Sequence, residues 1–165
     1  YVVKGEHEYM IPAVDEFLAE TNVEGGYIKV RLIRGCAPMY RIDIMTLFDL
    51  TVGDMMNESI LGRAQERDII RIEAHQIRDY TLNKQKQVDD YPYGGGHGAV
   101  MQADPLYQCW KHIVDTFGPG HTIYMSPAGK TFVEADARRL RDDYDHLILV
   151  CGHYEGIDER FIESV

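Results

Sequence analysis

Basic side chains are in short supply in this sequence. It holds 17 lysines and arginines against 27 aspartates and glutamates, a formal net charge of −10. The deficit runs along the whole chain, with four basic and six acidic residues over positions 1–38 and 13 against 21 over the remainder. A protein this acidic has no bulk attraction for nucleic acid, whose phosphates dominate binding energy. Any such partner must therefore be met by a local basic patch or by segments outside these 165 residues. Cysteine is equally sparse. Cys36, Cys109 and Cys151 are odd in number and form no C-x-x-C, which suits a reducing cytosol better than a disulfide framework. No run approaches the roughly 18 apolar residues that span a bilayer, so a membrane is not an expected partner. Cys109 and His112 sit three apart on an expected helix, but one pair falls short of a zinc site. Walker A, G-x-S-x-G and H-E-x-x-H motifs are all missing, as are internal repeats.

What remains is an ordinary globular mixture, 45% apolar and 27% charged. Residues 1–36 read as all-β. "EYMIPA" (8–13) and "YIKVRLI" (27–33) are strand-like, the second alternating as a half-buried strand should. "NVEGGY" (22–27) is a turn and "GCAP" (35–38) a linker. So short a segment cannot close a core by itself. From residue 39 the pattern becomes α/β. Strands are expected at "YRIDIMTLF" (40–48), "DIIRIEAHQI" (68–77), "HTIYM" (121–125) and "HLILVC" (146–151). Helices are expected at "SILGRAQER" (59–67) with Ser59 as its cap, at "ADPLYQCWKHIVDTF" (103–117) and over 132–141. In the helix over 103–117, Asp104 is the expected N-cap, Pro105 the first helical residue, and Leu106, Trp110, Ile113 and Phe117 the apolar face. Continuous apolar strands alternating with helices imply a parallel sheet with helices on both faces.

Three glycine-bearing loops follow expected strands: "YPYGGGHG" (91–98), "SPAG" (126–129) and "CGHYEG" (151–156). Ligands in open parallel sheets bind beyond the carboxyl ends of strands, so these loops are the first suspects. Gly94, Gly96 and Ala99 formally match G-x-G-x-x-A, but a long polar loop precedes them where a dinucleotide fingerprint needs a strand. The loop is either a plain surface loop or a binding loop for an aromatic or phosphorylated ligand. "SPAG" alone is a β-turn. In "CGHYEG", Gly152 permits close approach to the backbone, Tyr154 can stack or donate, and Glu155 can accept hydrogen bonds from a base or an ammonium group. The bland alternative is a strand-to-helix turn with a surface glutamate and a solvated His153. Asp158 and Glu159 favour a helix start there. Asp89 and Asp90 are able to hold Mg²⁺, although adjacent carboxylates in a polar loop are usually only solvated.

In this order, "YRIDIMTLF", "ESILGRA", "RDY", "VDDYPYGGGHG", "YMSPAG" and "LILVCGHYEGIDERFIE" resemble the N-terminal half of bacterial tRNA (guanine-N1)-methyltransferase, over 39–165 without a gap. The resemblance implies a trefoil-knotted α/β fold, S-adenosylmethionine as cofactor, a cytoplasmic homodimer with shared active sites, and methylation of N1 of guanine 37 in tRNA. It implies that Tyr124, Met125, Pro127 and Gly129 line the adenosyl pocket and that Gly152, Tyr154, Glu155 and Gly156 form its next wall. Glu155 would also lie near the target guanine as a supporting catalytic residue. Tyr93, Gly94, Gly95, Gly96 and Gly98 would sit near the pocket mouth and the tRNA. Three positions depart from the family pattern: His153 stands where many members have Arg, Ala128 where many have Gln, and His97 where many have Pro. Mg²⁺ is compatible with this chemistry, but no residues are assigned to it.

On the same resemblance, the segment that closes the knot, the general-base aspartate and the tRNA-binding C-terminal domain are expected beyond Val165. Residues 1–36 resemble, more weakly, the end of the small β-barrel of the 16S rRNA-processing ribosome maturation factor, through "VVKGEHEYMIPAV" and "YIKVRLIRG". Met39 would then be the methyltransferase's own start, with the two parts joined by natural fusion or by a gene-model error. A second class of function stays open at this stage: a non-catalytic RNA- or ribosome-associated assembly module. Binding of S-adenosylmethionine separates the two.

Overall fold

The computed structural model describes residues 2–4, 8–10, 18–22, 25, 27–30 and 39–165. The chain divides into two compact units, Tyr1–Met39 and Tyr40–Val165. In the first, β1 (Val2–Lys4) pairs antiparallel with β2 (Glu8–Met10), and β3 (Leu18–Asn22) with β4 (Tyr27–Val30). Among the described residues this agrees with the all-β reading of residues 1–36, and Gly25 lies in a turn as expected. The expected continuations of two strands to residues 13 and 33, and the linker at 35–38, fall outside the described residues.

The second unit is built on four parallel strands: β5 (Tyr40–Thr46), β6 (Ile70–Gln76), β9 (His121–Tyr124) and β10 (His146–Val150), in the order β6-β5-β10-β9. Asp43, Ile44, Met45 and Thr46 are buried at four successive positions. Successive side chains point to opposite faces of a sheet, so β5 is covered on both. Between β5 and β6 run α1 (Asp49–Met56) and α2 (Ser59–Glu66). A 3₁₀ turn (Ile77–Tyr80) follows β6. The long polar loop then closes on a two-residue antiparallel pairing of β7 (Asp89–Asp90) with β8 (Val100–Met101). Helix α3 (Ala103–Phe117) leads to β9, α4 (Glu134–Asp143) to β10, and α5 (Glu159–Ile162) follows the final rim loop. The core gathers Met45, Ile77, Met101, Leu106, Ile148 and Phe161, so side chains from six segments seal it. Among the described residues no helix is long and apolar enough to cross a membrane.

Several local expectations need correction. Ser59 does not cap α2: Glu58 holds that position without a side-chain cap bond, and Ser59 itself sits at φ +54°. Asp104 is likewise inside α3, which Gln102 precedes, and Pro105 is buried one residue further on. The face of α3 that reaches the core is Leu106, Cys109 and Ile113, whereas Phe117 stays partly exposed. Helix α4 starts at Glu134 because Asp136 turns back to accept the Val133 N–H at 3.3 Å. Helix α1 went unforeseen, since none of its residues is buried and it carries no apolar stripe.

One polar group lies deep in the middle of the sheet. The Asp43 carboxylate, fully buried, accepts from Arg41 Nε at 2.6 Å and Nη2 at 2.7 Å, and meets Nε2 of His75 at 2.6 Å and of His146 at 2.7 Å. Arg41 also reaches Glu73 at 2.9 Å, and the Phe117 ring lies 3.3 Å from its guanidinium carbon. Burial pushes the Asp43 carboxyl up, but the bonds from His75, Arg41 and His146 outweigh it and hold the group at about 2. Asp43→Ala should destabilise the chain by about 3–5 kcal/mol in urea unfolding, because it takes from Arg41, His75 and His146 the buried acceptor they share and leaves the guanidinium only Glu73. The sign of the pH effect follows from the depressed value. The contribution, on the order of 2 kcal/mol, is whole above the ordinary carboxylate value of 3.8 and is lost as pH falls through about 2. An unfolding series taken down through that window should show a shallower acid decline in the Asp43→Asn variant than in the parent.

Candidate functional site

Because the four strands are parallel, their carboxyl ends share one rim. Backbone bonds tie the rim together: Cys151 N–H donates to Met45 O at 3.0 Å, and Met125 N–H donates to Val150 O at 3.0 Å. The loops after β5, β9 and β10 thus leave from fixed, adjacent points. After β9 the chain turns tightly, with Gly129 N–H donating to Ser126 O at 3.1 Å and Ala128 N–H to Ser126 Oγ at 3.2 Å. A cavity of about 650 Å³ opens beside this turn, lined by Tyr124, Met125, Ser126, Gly129, Lys130 and Phe132 among others. That is a volume suited to a cofactor-sized ligand.

The loop after β10 meets the β9 end through Tyr124. A Cβ at Gly152 would stand 3.1 Å from the Tyr124 ring, 3.3 Å from its hydroxyl and 3.2 Å from Ile157. Glycine is needed at 152 for this close approach. The next residues are tied to the loop after β6. Met101 N–H donates to Gly156 O at 3.0 Å, Asp158 N–H to Met101 O at 2.9 Å, and Glu155 N–H to Ala99 O at 3.0 Å. Tyr154 adopts φ +59°, a left-handed conformation rare for an aromatic residue and common where a site imposes it. Its hydroxyl accepts from Arg78 Nη2 at 3.2 Å. The His153 ring stands edge-on to Phe48 at 5.3 Å and to Tyr154 at 4.7 Å. Gly98, at φ +108°, leaves room for Glu155: a Cβ there would lie 2.6 Å from Glu155 Cγ.

The residues singled out in the sequence therefore fall into linked groups. Tyr124, Met125 and Gly129 line the 650 Å³ cavity, with Pro127 exposed on the turn above it. Gly152 and Gly156 face Tyr124 from the neighbouring loop, and Glu155 packs on Gly98. Tyr93 and Gly94 instead line a smaller cavity of about 320 Å³ with Asp158 and Arg160. There the Arg160 guanidinium lies 5.5 Å from the Tyr93 ring centre and pairs with Asp158 at 2.6 Å, while Gly95 and Gly96 are exposed. Phe48, Arg78, Lys130 and Arg160 were overlooked. Phe48 and Arg78 lie inside the quoted strings "YRIDIMTLF" and "RDY", yet their partners are distant in sequence. Asp89 and Asp90 belong to the short β7 strand and join no metal-like cluster among the described residues. The cluster that does have such spacing, Asp43, Glu73 and His75, is already bridged by Arg41, whose guanidinium pairs with both carboxylates. Burial raises the thiols of Cys109 and Cys151, so neither is primed as a nucleophile.

Comparison with known proteins places this architecture. Residues 40–165 match the family model for tRNA (Guanine-1)-methyltransferase TrmD. A tRNA (guanine-N(1)-)-methyltransferase of Ruminiclostridium cellulolyticum is 46% identical over 126 residues, covering 76% of this chain and 54% of the relative. The protein of the same name from Clostridioides difficile is 46% identical over 127 residues, with the same two shares. The chain thus spans about half the length of the curated relatives it matches. Among solved structures, the tRNA (m1G37) methyltransferase from Aquifex aeolicus superposes with a TM-score of 0.70 at 26% identity, over 78% of this chain and 57% of that one.

Two glycines give opposite expectations. Gly98→Ala should destabilise the chain by about 1–3 kcal/mol, since it adds a left-handed Cβ against Glu155. Gly53→Ala, in open space on α1, should stabilise it by about 0.5–1 kcal/mol. Denaturant midpoints of the two variants check both signs.

Proposed function

The chain belongs to the tRNA (guanine-1)-methyltransferase family, and on that premise we propose that it forms the S-adenosylmethionine-binding part of an enzyme that methylates N1 of guanine 37 in tRNA. The observation that carries the reading is the junction of Tyr124 with Gly152. Two rim loops meet there so closely that a Cβ would fill the gap, beside a cavity of about 650 Å³. The residues fit the cofactor: Tyr124, Met125, Ser126 and Gly129 line the cavity, and Gly152 and Gly156 face Tyr124 from the neighbouring loop. When bound, the cofactor supplies an electrophilic methyl group.

What the chain's own residues do is hold and orient. Guanine N1 carries a proton at neutral pH, so methyl transfer requires a base as the new bond forms, and it requires N1 in line with the methyl. Glu155 is exposed, seated by Gly98 and fixed through its own N–H to Ala99. We assign it to orienting the guanine and stabilising charge on it. The principal base belongs, on this reading, to the half of the relatives' length that this chain does not span. The trefoil knot, a cytoplasmic homodimer with shared active sites, and most tRNA contacts are part of the same proposal. So is descent of residues 1–36 from a ribosome-maturation-factor barrel, with the ribosomal association that would bring.

Calorimetry of the 165-residue chain with S-adenosylmethionine is expected to show binding. Gly152→Val should weaken it at least about tenfold by displacing Tyr124. No heat of binding from the parent chain would remove the cofactor assignment. Methyl transfer to transcribed tRNA should be negligible for this chain. In a chain extended to the length of its relatives, Glu155→Ala should lower transfer on the order of 10²-fold. Undiminished transfer by that variant rules out the role given to Glu155.

A further inference from the structure

The proposed substrate is a polyanion and the chain is strongly acidic, so any phosphate met by this chain itself must be met by a local cation. Most cations around the rim are already matched. Arg160 pairs with Asp158, Lys130 with Asp136, and Lys86 with Asp79. Arg78 differs. It sits at the carboxyl end of β6, half-buried, and among the described residues no carboxylate pairs with it. Its guanidinium is nonetheless held. Nη1 donates to Lys86 O and Nη2 to the Tyr154 hydroxyl, each at 3.2 Å. Both acceptors are neutral, so the positive charge is oriented but not cancelled. A guanidinium has five N–H donors, and these two bonds leave others free for a forked contact. Its partner Tyr154, 42% exposed, meets the His153 ring, which in turn meets Phe48, 53% exposed. An oriented, uncancelled guanidinium next to exposed rings is the arrangement that receives a backbone phosphate and stacks an unpaired base.

We infer that Arg78 is an RNA phosphate-binding residue at the mouth of the site, with Phe48, His153 and Tyr154 as the adjoining stacking surface. This rests on the tRNA reading above and adds to it a contact residue within this chain. The phosphate is that of a nucleotide flanking the target base. The cofactor also carries an anion, its carboxylate, and the test must tell the two sources apart.

The experiment measures the affinity of the 165-residue chain for an anticodon stem-loop RNA at several salt concentrations, and its affinity for S-adenosylmethionine at one. Arg78→Gln should weaken RNA binding about three- to tenfold at low salt and lower the slope of log affinity against log salt by roughly 0.7–0.9, one phosphate's worth. Its cofactor affinity should stay within about twofold of the parent, within the scatter of surface substitutions. Arg78→Lys should keep the slope, which guards against reading a folding defect as a lost contact. Lys111→Gln, whose charge is already paired with Asp115 on α3, should leave both measurements unchanged. An unaltered salt slope in Arg78→Gln overturns the assignment, and if cofactor affinity falls instead, Arg78 serves the cofactor's carboxylate or only braces Tyr154. A parent chain that binds S-adenosylmethionine but no RNA counts against RNA contact by this half of the relatives, and so against both the partner and the assignment.

Discussion

The central strand β10 is hydrogen-bonded to β5 on one side and β9 on the other, and its last residues decide where the rim loops begin. Cys151 N–H bonds to Met45 O, and Val150 O receives Met125 N–H. The loops after β9 and β10 therefore leave from neighbouring points and lean together at Tyr124 and Gly152. Met101 then clamps the β10 loop from the other side, through Gly156 O and Asp158 N–H. Remove the parallel register and no cavity or loop contact at this rim survives, because each is set by where a strand stops.

Stability and chemistry are separated along the same strands. The middle of the sheet holds Asp43 with Arg41, His75 and His146, a polar group packed under Phe117. Such a group is a constraint more than a gain, since its ions must all be present for any to be tolerated. The carboxyl-terminal rim carries the exposed rings, the uncancelled guanidinium and the left-handed tyrosine. That is where a protein keeps features that cost stability but meet a ligand.

Much of this was legible in the sequence where apolar period and length agreed. Helix α3 spans the fifteen residues its periodicity indicates, and β5, β6, β9 and β10 fall within the four segments expected as strands. Asp158 does cap α5, accepting the Arg160 N–H at 3.0 Å. Reading failed where partners are distant or the local signal is silent. Ser59 and Asp104 have the chemistry of caps, but the turns before their helices place other residues at the boundary. Helix α1 has no buried face to announce it. The close packing of Tyr124 on Gly152 joins residues 28 positions apart, which no local pattern announces. The family resemblance named Tyr154 and Glu155, yet nothing local links Tyr154 to Arg78, 76 positions away.

The left-handed backbone at Tyr154 has a consequence for how this position can vary. A side chain there forgoes roughly 1–2 kcal/mol that glycine would not. A library selected only for resistance to unfolding should drift toward glycine or asparagine at 154, whereas one selected for methyl transfer should keep the tyrosine. Disagreement between two such selections at a single position would measure, without any ligand in hand, how much foldedness this rim gives up for its task.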